Sequence, residues 1–138
     1  MKLFLSLTAI IEGLTGFALV AAPNRVALLL MGVPFFGAAA MIVAFIAGAA
    51  LISLAFFCWL TRKNTTDFAT VKTMVVYNIA VAAVLVYGVI NYQLTGILLW
   101  PAVCFHVAFA VWAILILKKS QPGKNIAIVQ KKQPNKKS

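Results

Sequence analysis

The chain predicts an all-α integral membrane protein, a bundle of four transmembrane helices with both termini cytoplasmic. Three observations carry this. Hydrophobic residues make up 64% of the 138 residues and charged residues only 10%, against about 45–50% and roughly 25% in an ordinary soluble domain. The mean hydropathy is +1.03, which leaves too little polar surface to cover a water-soluble core. Four apolar stretches are also long enough to cross a bilayer, which takes about 20 helical residues.

The first span, 3–22, is apolar except for Ser6, Thr8, Glu12 and Thr15, and it stops before Pro23-Asn24-Arg25. Lys2, the apolar stretch and Val20-Ala21-Ala22 imitate a signal peptide. Glu12 interrupts the apolar region and Pro23 would follow the cut, so retention of this helix is the expectation. The segment 26–36 is apolar but too short to span, and Gly32 and Pro34 interrupt it. It is expected to be an interfacial or re-entrant helix, or a greasy loop folded over the bundle.

The second span, 37–60, carries no charge and ends at Arg62-Lys63. The third, 73–90, follows Lys72 and ends at Asn91-Tyr92-Gln93. The fourth, 96–117, ends at Lys118-Lys119. In lipid the backbone must satisfy its own hydrogen bonds, and none of these stretches alternates as a barrel strand would. A membrane domain over 1–119 and a basic cytoplasmic tail over 120–138, without regular structure, complete the organisation.

Four spans put both ends on one side. That side holds Lys2, Arg62, Lys63, Lys72, Lys118, Lys119, Lys124, Lys131, Lys132, Lys136 and Lys137, while the other holds only Arg25. The bias predicts cytoplasmic termini in the inner, cytoplasmic membrane. Trp59 falls at the inner boundary and Tyr92 and Trp100 at the outer, where amphipathic rings anchor a span.

The net charge of +10 gathers at this cytoplasmic side and its tail. Anionic headgroups are the expected partner, each Lys near such a surface being worth roughly 1 kcal/mol. A cytoplasmic acidic partner fits the same charge. Nucleic acid is disfavoured, because the tail interleaves no aromatic residues on which bases would stack.

Glu12 is the one acidic residue inside a span. An ionisable group at membrane depth is expensive and points to a site. From helix rise it lies about 15 Å beyond Lys2, and His106 lies about 15 Å beyond Gly96 on a helix entering from the other side. Both estimates fall near the midplane, so a Glu12–His106 pair is expected. Thr8, Glu12, Thr15 and Gly16 share a helix face by spacing. Asn78, with Tyr77 beside it, offers a cross-helix hydrogen bond from the third span.

Small residues mark the packing faces. Ala40, Ala44 and Gly48 recur every fourth residue on the second span, and Ala102, His106, Ala110 and Ala113 form a narrow stripe on the fourth. Such stripes let helix backbones approach closely.

The remaining chemistry is sparse. Cys58 and Cys104 should differ in depth by roughly 15 Å, too far for a disulfide, and both are expected as packing thiols. No metal site and no cofactor are expected; a haem commonly takes a second axial side chain, and His106 is the single histidine. Nucleophile triads, HExxH and glycine-rich phosphate loops do not occur. Asp67, beside Thr65, Thr66 and Lys72, is expected to be a solvated loop residue. The chain is not expected to be an enzyme.

Glu12-Gly13-Leu14-Thr15-Gly16 resembles the first helix of the small multidrug resistance transporters. There a membrane glutamate binds protons and cationic substrates in competition, a role the resemblance gives to Glu12. The strong charge bias and long basic tail depart from that family, as does the third helix. Gly16-Phe17-Ala18-Leu19-Val20-Ala21-Ala22-Pro23 and Leu98-Leu99-Trp100-Pro101 resemble phrases of bacterial DoxX-like four-helix membrane proteins, which implies a fold and little about activity.

Two functions follow as expectations. One is a non-catalytic accessory or assembly subunit, packed through its small-residue faces against other membrane subunits or its own copies. The other is a proton-coupled small-molecule transporter that uses Glu12 as a homo-oligomer. The scarcity of polar side chains along the spans favours the first.

Overall fold

The computed structural model describes residues 1–64 and 68–120. Asp67 and the tail lysines Lys124, Lys131, Lys132, Lys136 and Lys137 lie outside the described residues. Five helices follow in order: α1 (Lys2–Ala21), α2 (Pro23–Met31), α3 (Gly37–Thr61), α4 (Ala69–Tyr92) and α5 (Leu99–Lys119). Four of them, α1, α3, α4 and α5, are long and apolar enough to cross a membrane.

The bundle is two antiparallel pairs, α1 with α3 and α4 with α5. In the first pair the backbones touch. A Cβ added to Gly16 would sit 2.7 Å from the Gly48 carbonyl oxygen, and one added to Gly48 would sit 2.8 Å from that of Gly16. Ala44 is buried in the same seam and Ala40 half-buried. In the second pair Ala110 and Ala113 are buried, and Ala102 packs beside the buried Leu85, Leu99 and Val103.

Larger side chains join one pair to the other. Phe4 sits 5.6 Å from the Phe109 ring and 5.4 Å from Trp112, centre to centre. The start of α1 and the end of α5 therefore share one end of the bundle, called here the termini end. The Cys58 thiol contacts Met74 Sδ at 3.7 Å. With Leu5, Ala9, Val71 and Ala113 these residues close an apolar core at that end. Cys58 packs as expected of a small apolar thiol, whereas Cys104 is exposed on the outer side of α5.

The 26–36 segment resolves into two parts. Pro23 opens α2 at its first turn, where a missing N–H costs nothing, and Gly32 closes it in the left-handed conformation at φ 81°. Residues 33–36 then run without helix to Gly37, held by Asn24 Oδ1 accepting from the Phe35 amide at 3.1 Å. The helix thus starts three residues earlier than the apolar run and ends at its glycine. Its far end is bound to the α4–α5 connection: Leu98 N–H donates to Leu29 O at 2.8 Å and Thr95 N–H to Met31 O at 3.2 Å.

The third span also begins earlier than the apolar pattern, at Ala69 rather than 73, because Thr70 and Val71 are buried there against the termini-end core. The fourth begins later, at Leu99. Residues 93–98 are needed to turn the chain and meet α2.

Candidate functional site

A polar layer lies between two apolar ones. Along α4, Met74 of the termini-end core comes before Tyr77 and Asn78, and Leu85 of the second cluster comes after them. Along α5, Val103 precedes His106 and Ala113 follows it. Glu12 stands one turn beyond Ala9 on α1 and is 4% exposed. Glu12 and His106, which helix rise puts near one depth, lie in this layer with Tyr77 and Asn78 beside them.

Their pairing differs from the expected Glu12–His106 bond. The Tyr77 hydroxyl donates to Glu12 Oε2 at 2.7 Å, and His106 Nδ1 is bonded to Asn78 Oδ1 at 2.8 Å. Tyr77 stands between the two, its ring edge-to-face with the His106 imidazole at 5.8 Å. The reason is the pairing of helices: α5 lies against α4, so Asn78 reaches its histidine first. The α4 phenol spans the wider gap to α1.

The Asn78 amide has its own orientation set. Nδ2 donates to Met74 O one turn back at 2.7 Å, which turns Oδ1 to His106. An amide oxygen only accepts, so Nδ1 of the imidazole carries the hydrogen and Nε2 is the basic nitrogen. Thr8 is buried, yet its hydroxyl donates to Phe4 O on its own helix at 3.0 Å. It fills the layer below Glu12 without bonding the carboxylate.

Thr15 is a correction. It is exposed and takes no part in the site. Beyond Glu12, α1 leans on α3 through Gly16, and Leu14 and Phe17 beside Thr15 are exposed as well. The cross-pair hydrogen bond and ring contacts lie at Phe4, Glu12, Met74, Tyr77, Phe109 and Trp112. These contacts between the pairs lie in the termini half and at the polar layer.

Tyr77 is the site residue that spacing did not single out. A phenol in a span must place its hydroxyl against a partner, and that requirement was the available signal. Chemically the layer offers one carboxyl group, one imidazole, one phenol and one amide in a connected set. Among the described residues no buried side-chain nitrogen or oxygen lacks a partner, and no three His, Cys, Asp or Glu residues converge as a metal site. Lys118 and Lys119 end α5 at the termini end, where cations complement the helix dipole. Comparison of the chain with family models, curated proteins and solved structures finds no match.

Proposed function

We propose that this protein is a non-catalytic accessory or assembly subunit of a larger membrane complex, held in the cytoplasmic membrane with both termini inside. The carrying observation is the bond between Tyr77 and Glu12. The single acidic group of the spans is engaged in joining one helix pair to the other, which is the role of a cross-helix clamp. The lysine bias toward the termini supports the orientation, and the exposed apolar faces of α3 and α4 leave surface for neighbouring subunits.

The test is the native mass after gentle detergent extraction from the protein's own membranes. Co-migration with a large assembly is expected. Removing residues 120–138 should weaken that association, while Glu12→Gln should leave it standing, since a glutamine oxygen still accepts from the Tyr77 hydroxyl. A small homo-oligomer free of other chains would count against the subunit.

A second reading, proton-coupled transport, draws on the convergence of Glu12, Tyr77, Asn78 and His106 in one layer and on the resemblance to small multidrug resistance transporters. It requires Glu12→Gln to abolish proton-coupled flux in vesicles. Full flux in that variant would remove it.

A further inference from the structure

On the face of the α1/α3 pair lies a groove of about 310 Å³, lined by Ala9, Ile10 and Gly13 of α1 and by Ile52, Ala55 and Phe56 of α3, with Trp59 at one end. Gly13 gives it depth. A Cβ there would meet nothing closer than Ala55 Cβ at 3.5 Å, so the floor is open above ordinary contact.

The two walls repeat one pattern. On α1 the groove-lining Ala9 and Gly13 continue toward the helix start through Ser6 to Lys2 at single-face spacings of three and four residues, which places Lys2 beyond the groove's end on the same side of the helix. On α3 the lining residues Ile52, Phe56 and Trp59 follow the same spacings, and Lys63 comes four residues after Trp59, in the turn just past the helix end. The helices are antiparallel, with Gly16 on Gly48 and Gly13 on Ala55. Both lines consequently finish on a lysine at the termini end.

Two more features sit at that mouth. Arg62 lies over the Trp59 ring, its guanidinium carbon 3.5 Å from the ring centre. The N-terminus of α1 has no side-chain cap and no acidic residue in its first turn, so its leading N–H groups remain available to an anion. An apolar trough thus opens onto cationic side chains at the membrane boundary.

We infer that the groove is a binding site for one anionic phospholipid of the leaflet at the termini end. An acyl chain lies along Gly13, Ile52 and Phe56, and the headgroup phosphate lies between Lys2 and Lys63. A zwitterionic lipid fills the trough equally well but brings a cationic group to the same mouth, so selection rests on headgroup charge. This site does not depend on the subunit or the transport reading.

Native mass spectrometry of the full chain in detergent, titrated with phosphatidylglycerol and separately with phosphatidylcholine, tests it. The wild-type protein should bind phosphatidylglycerol more tightly. Lys2→Gln with Lys63→Gln should lower that affinity roughly fivefold per lysine, about 25-fold together, and leave phosphatidylcholine unchanged. Gly13→Leu, which fills the trough, should weaken both lipids about tenfold. Both variants retain the tail lysines. A phosphatidylglycerol preference that survives both would belong to the tail, and equal binding of the two lipids would leave no headgroup selection; either outcome overturns the site. A wild-type dimer that Gly13→Leu converts to monomer would assign the groove to a second copy and overturn it as well.

Discussion

The two helix pairs are held by different physics. Between α1 and α3 the contact is backbone on backbone, glycine against glycine. Between α4 and α5 the spacing admits an amide and an imidazole, and Asn78 bonds His106. In lipid, where apolar surface gains little by leaving one hydrocarbon environment for another, close packing and interhelical hydrogen bonds are the alternatives that remain. This chain uses one in each pair. The first pair fails by added volume, the second by subtracted polarity.

The largest effect should come where the pairs are tied at the far end. A Cβ on Gly96 would lie 2.2 Å from the Leu30 carbonyl carbon, so Gly96→Ala must push α2 off the α4–α5 connection. A loss of about 3 kcal/mol is expected, and hydrogen exchange should show the Thr95 and Leu98 amides unprotected. Retained protection there would mean that α2 is not seated as described.

The next prediction sharpens the packing side of the contrast. Gly16→Ala should destabilise by about 1–3 kcal/mol, because its Cβ meets a carbonyl oxygen that cannot step aside. Gly13→Ala, one turn away, should stabilise by about 0.5–1 kcal/mol through reduced backbone freedom alone. Steric-trap or detergent unfolding would read both. Equal signs at the two positions would break the account of the α1/α3 seam.

On the polar side the effects are smaller. Asn78→Ala and Tyr77→Phe should each cost about 0.6–1.7 kcal/mol, the range of interhelical hydrogen bonds in membranes. They should differ in kind: Tyr77→Phe loosens one pair from the other, while Asn78→Ala loosens α4 from α5. Cysteine crosslinking across each junction separates the two. Smallest of all, Thr15→Val should stay within about 0.5 kcal/mol in the same unfolding assay, since its side chain is outside the site.

Much of the architecture was legible before any coordinates. The four long helices follow from uninterrupted apolar length, and α4 starts before its apolar run where buried Thr70 and Val71 extend it. The common depth of Glu12 and His106 was legible because helix rise is fixed. Their partners were not. The α1–α3 pairing is fixed where glycines permit contact, and Gly16 looks, in sequence, like one more member of the polar face with Thr8 and Glu12. It belongs instead to Gly48. Once α1 is drawn to α3 at that point, Thr15 loses the helix it was expected to face, and only a side chain as long as Tyr77 reaches back to the carboxylate.

The two backbone bonds from α2 to the α4–α5 connection join parts of the chain made at different times. Leu29 and Met31 emerge first, and Thr95 and Leu98 only after α4 has been made. The latch between the two halves can therefore close only after the second pair has been made. A protein severed between α3 and α4 and expressed as two pieces should reassemble, since the junction depends on no covalent link there. In that light α2 is less a fragment of a failed span than the part of the first half that receives the second.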